Sequence, residues 1–139
     1  MTKQQRKQWI YIGLALFWTW FIWRNSLYPS TESAEQSGWI MDFVNGILPF
    51  EIGEFVIRKG AHMFEFLVLA ILWNNVLFLK YRRYAYALVI AVSVACIDEG
   101  IQLYVPGRSG EIRDVLVDVV GACVGLLLVK TYKKCRAQK

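Results

Sequence analysis

GAHMFEFLVLAILWNNVLFL, residues 60–79, is an apolar run of bilayer-crossing length that carries His62 and Glu65 near one end. About 20 apolar residues, rising about 1.5 Å each in a helix, span a hydrocarbon core. Two further stretches read the same way: 84–105, with Asp98 and Glu99 near its end, and 112–129, with Asp114 and Asp118 near its start. A fourth, 9–23, is slightly short, so it is expected to begin before Trp9 or to continue to Leu27. Ionisable groups are costly in hydrocarbon, so each of these six residues is a functional candidate.

The composition points the same way. A chain of 139 residues has room for one domain, 1–139. Its apolar share of 56% exceeds the usual globular share of about half. Tryptophan and tyrosine are abundant, and such rings collect at bilayer interfaces. The net charge of +5 does not read as nucleic-acid binding, because the basic residues flank apolar runs instead of forming a polar basic face. Cys96, Cys123 and Cys135 are odd in number and scattered, which argues against a disulfide framework or a thiolate zinc site. Lys3, Arg6 and Lys7 before the first apolar run resemble a signal peptide. However, Trp18, Trp20, Phe21, Trp23 and Arg24 stand where small residues would mark a cleavage site, so the run is read as a retained span.

Charge sorts cleanly along the chain. The N-terminus, the turn at 80–83 and the tail from Lys130 hold lysines and arginines without any Asp or Glu. The other two connections hold Glu32, Glu35, Asp42, Glu51, Glu54 and Glu111. The positive-inside rule then places both termini and the 80–83 turn in the cytoplasm, which four spans satisfy. The expected fold is all-α, an integral plasma-membrane bundle of four transmembrane helices with an external amphipathic helix between helices one and two. That external segment, 25–57, starts as a loop at Pro29, Ser30, Thr31 and Ser33. Trp39, Ile40, Phe43, Val44, Ile47 and Leu48 then recur at helical spacing, and Pro49 ends the run. It is too short to span, so it is expected to lie in the interface or pack on the bundle.

Helical periodicity gathers the polar residues. Arg58, His62, Glu65 and Leu69 fall within an arc of about 60°. Asp98 and Gln102 share a face, with Glu99 about a quarter-turn round. Asp114, Asp118, Gly121 and Gly125 form another stripe. Glu65, Asp98 and Asp118 each lie about 10 Å from an expected outer helix end at 1.5 Å per residue. Arg58, Lys59, His62, Arg108 and Arg113 stand at the same end and supply cations. Gly121 and Gly125 form a small-xxx-small motif, which suits packing inside the bundle and also permits an oligomer. Pro106-Gly107 signals a turn, and Ser109 and Glu111 suit a helix start as cap and first-turn acid.

These blocks together resemble the VanZ-like membrane protein family, named for a teicoplanin-resistance accessory protein. The resemblance rests on Arg58-Lys59-Gly-Ala-His62-Met-Phe-Glu65-Phe66, on Asp98-Glu99-Gly-Ile-Gln102 followed by Pro106-Gly107-Arg108, and on Asp114, Asp118, Gly121 and Gly125. It covers about 14–129. The family usually has Tyr where this chain has Phe66, which removes a hydroxyl, and Asn where it has Asp118, which adds an acid. The resemblance implies an integral membrane protein of Gram-positive type, and in the founding case low-level teicoplanin resistance.

The leading expectation is a cell-envelope accessory that influences glycopeptide susceptibility. Arg58, Lys59, His62, Glu65, Asp98, Glu99, Gln102, Arg108, Asp114 and Asp118 would form an outer-leaflet site for a lipid-linked cell-wall precursor or a lipoglycopeptide. Arginine suits this because it grips phosphate or carboxylate with forked hydrogen bonds. Three alternatives stand beside it. One is an enzyme acting on a lipid head group, with His62, Glu65, Asp98 and Glu99 as candidates, although no established catalytic motif is present. Another is a structural polar network, and the last is a proton relay. No metal or other cofactor is expected, since a single histidine without thiolate partners suits zinc poorly.

Overall fold

The computed structural model describes residues 2–47, 52–77, 82–108 and 110–138, without the side chains of 30, 32–34, 36 and 37. The expectations that fall on Leu48, Pro49, Glu51, Leu79, Lys80 and Ser109 lie outside the described residues. Among the described residues the chain is all-α, with five helices and no strand: α1 (Lys3–Ser26), α2 (Ser30–Ile47), α3 (Glu54–Val76), α4 (Arg83–Gln102) and α5 (Ile112–Ala137).

Local chemistry explains the helix ends. Thr2 and Gln5 form a capping box, each side chain accepting from the other's backbone N–H, so α1 starts well before Trp9. It runs on to Ser26. The loop expected at Ser30, Thr31 and Ser33 is instead the start of α2, where the fixed backbone of Pro29 precedes the helix formers Ala34, Glu35 and Gln36. α3 likewise begins at Glu54, nearly two turns before Gly60, with extended Gly53 as its cap and an acid in its first turn. Arg58 and Lys59 are therefore inside α3 and do not mark its outer end. α4 stops at Gln102, short of Val105. A turn follows in which the Arg108 N–H donates to the Val105 carbonyl at 3.1 Å, with Gly107 at φ 75°. Pro at the second position and a left-handed Gly at the third define a type II turn. Glu111 is the N-cap of α5 rather than a first-turn acid; Asp114 takes that position.

The expectation of four spans meets a sharper result. Among the described residues, only α4 is long and apolar enough to cross a membrane by length and composition. The reason is chemical. α1 spends its length on tryptophans of near-neutral hydropathy, and α3 and α5 carry the polar stripes.

Side-chain pairs give the direction of each helix. Gln8 reaches the Val76 carbonyl and Trp18 the Glu65 carbonyl, so α1 and α3 are antiparallel. Trp23 donates to the Val94 carbonyl and Ser26 to Asp98, so α1 and α4 run together. Lys59 pairs with Asp114, and Met63 and Leu67 lie against Gly121 and Gly125, so α3 and α5 run together as well. The four long helices thus alternate up and down, with α3 touching α1, α4, α5 and α2.

The bundle buries several polar side chains beside its apolar core and exposes many large apolar ones. Thr19, Ser26, Asn74, Asp98, Glu99, Gln102 and Asp118 are buried, whereas Trp9, Phe17, Trp20, Phe64, Val89, Leu116 and Leu127 are all more than half exposed. The apolar core is built from Ile22, Phe66, Leu69 and the alanine stripe Ala87, Ala91 and Ala95 of α4. Phe66 is fully buried in that core, where the ring packs and a hydroxyl would need a partner.

α3 and α5 meet most extensively, and their backbones nearly touch. A Cβ at Gly121 would overlap the Met63 carbonyl, and one at Gly125 the Leu67 carbonyl. Gly121→Ala and Gly125→Ala are each expected to destabilise the bundle by about 1–3 kcal/mol through overpacking against backbone. Gly13→Ala, which meets open space in α1, serves as the comparison and is expected to be neutral or mildly stabilising. Thermal unfolding of the detergent-purified variants checks this, and equal melting of all three would refute the close approach.

Candidate functional site

The polar stripes converge at the end of the bundle where α1 and α4 finish and α3 and α5 start. The site grows from α4. Asp98, completely buried, accepts from the Ser26 hydroxyl at 2.6 Å and from the Gln102 amide at 3.1 Å. Glu99 accepts from the Glu111 backbone N–H at 2.9 Å, with the Gln102 amide 3.4 Å from its other oxygen. This ties the start of α5 to the end of α4. Glu65 on α3 accepts from the Asn25 amide at 2.9 Å. Each of these three acids therefore has a hydrogen-bonded partner, as buried polar groups require.

The α3–α5 seam is different. Lys59 and Asp114 form an ion pair at its outer end. One turn deeper, His62 Nδ1 stands 3.8 Å from Asp118 Oδ1, beyond hydrogen-bonding range. His62 Nδ1 and both Asp118 carboxylate oxygens are buried without a hydrogen-bond partner, although Asp118 is completely buried. Glu65, Asp98 and Glu99 all lie within electrostatic reach of Asp118, so the acids do share one region. The equal-depth count does not explain it, because α3 starts earlier and α4 ends earlier than expected. The helix ends are staggered, so the acids meet at different distances from them.

Arg108 is the central cation. Its Nε donates to the Tyr28 carbonyl at 3.3 Å and its Nη1 to Gln102 Oε1 at 3.4 Å, linking the α4–α5 connection to the end of α1. Burial, and then the nearby Arg58, push its guanidinium below its usual value, with Asp98, Glu99 and Glu65 opposing. The guanidinium starts so high that it stays charged. Arg58 has a loose, largely solvated contact with Glu54 at 3.9 Å.

Two cavities open around these groups. The larger, about 410 Å³, has Arg24, Arg58 and Arg108 on its wall, together with His62 and Glu65 and the apolar Phe21 and Ile40. The smaller, about 140 Å³, includes Lys59, His62, Gln102, Arg108 and Asp114. Arg58, His62 and Arg108 line both. Three guanidinium groups on one wall can receive an anion, and His62 shares that wall. Among the described residues, no three His, Cys, Asp or Glu side chains gather as metal ligands.

Sequence reasoning missed the α1 contribution. Arg24, Asn25, Ser26 and the Tyr28 carbonyl all belong to the site, and Arg24 is stacked near the Trp20 and Tyr28 rings at 5.9 and 5.2 Å. The run Arg24-Asn25-Ser26 at the outer end of an apolar stretch was the available signal. Arg113, expected on the rim, is exposed and is not among the described lining residues of either cavity.

The VanZ/LLP1 family profile matches residues 11–133, most of the chain and slightly more than the 14–129 of the resemblance. No curated protein and no solved structure matches the chain. The matched range includes the blocks at Arg58–Phe66, Asp98–Gln102 and Asp114–Gly125, which supply residues of the cavities and of the seam between α3 and α5. The chain belongs to the VanZ/LLP1 family of membrane proteins.

Proposed function

We propose that the chain is a four-span protein with both termini cytoplasmic, whose outward-facing cavity holds the anionic head of a lipid-linked or lipidated ligand. The observation that carries this reading is the meeting of Arg24, Arg58 and Arg108 on one cavity that Phe21 and Ile40 also line. Guanidinium groups take phosphate or carboxylate through paired hydrogen bonds. An apolar wall beside them accepts the chain attached to such a head. Three observations support the membrane reading. The long helices alternate in direction, the exterior is apolar, and the basic segments all fall at the end opposite the site.

Family membership suggests a link to glycopeptide resistance. A cell-wall precursor on a lipid carrier joins a phosphate head to a long apolar chain, and a lipoglycopeptide joins polar groups to an acyl tail. Either has the chemistry this cavity favours, and the protein would act as an envelope accessory by sequestering or presenting it.

A second reading is favoured by a specific observation for part of the cluster. Glu65, Asp98 and Glu99 are each hydrogen-bonded to neighbouring elements, which is what a structural network requires. His62 and Asp118 are not. The reading adopted therefore divides the cluster. The partnered acids hold the helices in register, and the arginines with His62 meet the ligand.

Two outcomes follow from that division. In a susceptible host, expression of the protein is expected to lower teicoplanin susceptibility. Arg108→Ala and His62→Ala, at equal membrane levels, should return it to that of the empty host. Unchanged resistance in both variants would remove the cavity from the mechanism. Asp98→Asn replaces an acceptor by a donor opposite Ser26 or Gln102 and should cost about 1–3 kcal/mol of stability. Asp118→Asn breaks no hydrogen bond and should cost less. Melting temperatures of the two purified variants decide the point, and a reversed order would contradict it.

A further inference from the structure

The opposite end of the bundle holds another cavity, of about 470 Å³, whose wall includes Lys3, Lys7, Tyr11, Asn75, Arg83 and Lys133. The cations come from the start of α1, the start of α4 and the end of α5, so folding alone brings them together. No acidic side chain is among the described lining residues. The sequence extends this: no Asp or Glu occurs at 1–31, 66–97 or 119–139, which include the parts of α1, α3, α4 and α5 at this end. Three of these cations lie near aromatic rings. Lys7 lies 5.9 Å from the Tyr11 centroid, and Lys133 and Arg83 lie 5.9 and 5.1 Å from the Tyr84 centroid. Partial burial, and then the neighbouring Arg83, push the Lys133 ammonium below the usual lysine value. Lys3, Lys7 and Lys133 share this wall with no acidic side chain among its described residues, and like charges brought together in this way repel one another and favour a bound anion.

We propose that this cavity seats the phosphate of an anionic membrane lipid, bound by Lys3, Lys7, Arg83 and Lys133. Ammonium and guanidinium donors to phosphate oxygens are charge-assisted and short. Basic pockets between helices at a cytoplasmic face are suited to lipid head groups. The flanking surface argues for a lipid over a free phosphate. Trp9, Ile10 and Leu14 follow Lys7 along α1, and Leu128 precedes Lys133 on α5, all about half exposed or more. Acyl chains attached to a phosphate in the cavity would lie along these side chains. The phosphate chemistry stands on the cavity, whereas the lipid source rests on the membrane reading above.

The experiment uses the full chain, purified in a neutral detergent and titrated with phosphatidylglycerol or phosphatidylcholine, with bound lipid counted by native mass spectrometry. Phosphatidylglycerol should bind in preference. Lys7→Gln and Lys133→Gln should each weaken it by about fivefold, as expected for one basic group near an anionic lipid. Lys134→Gln, which is not among the described lining residues, should leave it unchanged. Circular dichroism melting shows whether each variant is folded. Equal binding of the two lipids, or full binding by folded Lys7→Gln and Lys133→Gln, overturns the proposal. Displacement of the lipid by millimolar inorganic phosphate overturns its lipid source and makes this a soluble-anion site. Flotation with neutral vesicles tests the membrane reading separately. If the protein fails to float, the inorganic phosphate arm still decides whether the cavity takes a phosphate.

Discussion

The close approach of α3 and α5 governs everything else in the bundle. Gly121 and Gly125 leave no side chain between the helices, so the carbonyls of Met63 and Leu67 lie directly against α5. At that separation the side chains one turn outward have little choice of neighbour. Lys59 meets Asp114, and His62 faces Asp118. A larger residue at Gly121 would push the helices apart and misalign both pairs at once. Two residues with no chemistry of their own therefore set the geometry of the residues that have it. Small-residue seams of this kind suit helices in lipid, where no hydrophobic gain drives association and packing must supply it.

Within that frame the cluster is of two kinds, and the difference is physical. Asp98, Glu99 and Glu65 accept hydrogen bonds from Ser26, Gln102, Asn25 and the Glu111 backbone, which joins four helices. Such bonds are worth most where water is excluded, and losing one partner leaves the other stranded. His62 and Asp118 bring the opposite property. They face each other with unpartnered atoms beside a cavity that His62 also lines. A hydrogen-bonded frame around a small unsatisfied pair is the support that the proposed binding site would need.

Periodicity made much of this legible before any coordinates. The stripes Arg58–His62–Glu65 and Asp114–Asp118–Gly121–Gly125 follow from the helical repeat, and Pro106-Gly107 marked the turn. What stayed hidden has specific causes. Helix starts depended on caps: the Thr2–Gln5 box and extended Gly53 carried α1 and α3 beyond their apolar runs. Ser30 and Thr31 looked like loop because serine and threonine favour turns, yet Pro29 and the helix formers that follow start α2 at Ser30. Asn25, Ser26 and the Tyr28 carbonyl could not be assigned from local pattern, since their roles exist only once α1 lies beside α3 and α4. Asp118 illustrates a subtler limit. Its place on the stripe was readable, but its want of a hydrogen-bond partner depends on how far α3 stands from it.

Charge is separated along the bundle axis, and this links the two cavities. All eleven carboxylate side chains fall between Glu32 and Glu111–Asp118, while α1 begins and α5 ends among lysines. In one end acids and arginines neutralise one another around a polar site. At the other, cations line a cavity without carboxylates among the described residues. A membrane with anionic lipid on its cytoplasmic face would hold such a molecule in one orientation, because the basic end is attracted there and the mixed end is not. The same separation leaves no Asp or Glu among the described residues of the basic cavity to repel an anion there. In the proposed topology the lysines that would orient the chain are the ones that would meet the proposed lipid phosphate, so one asymmetry of sequence would have two physical consequences.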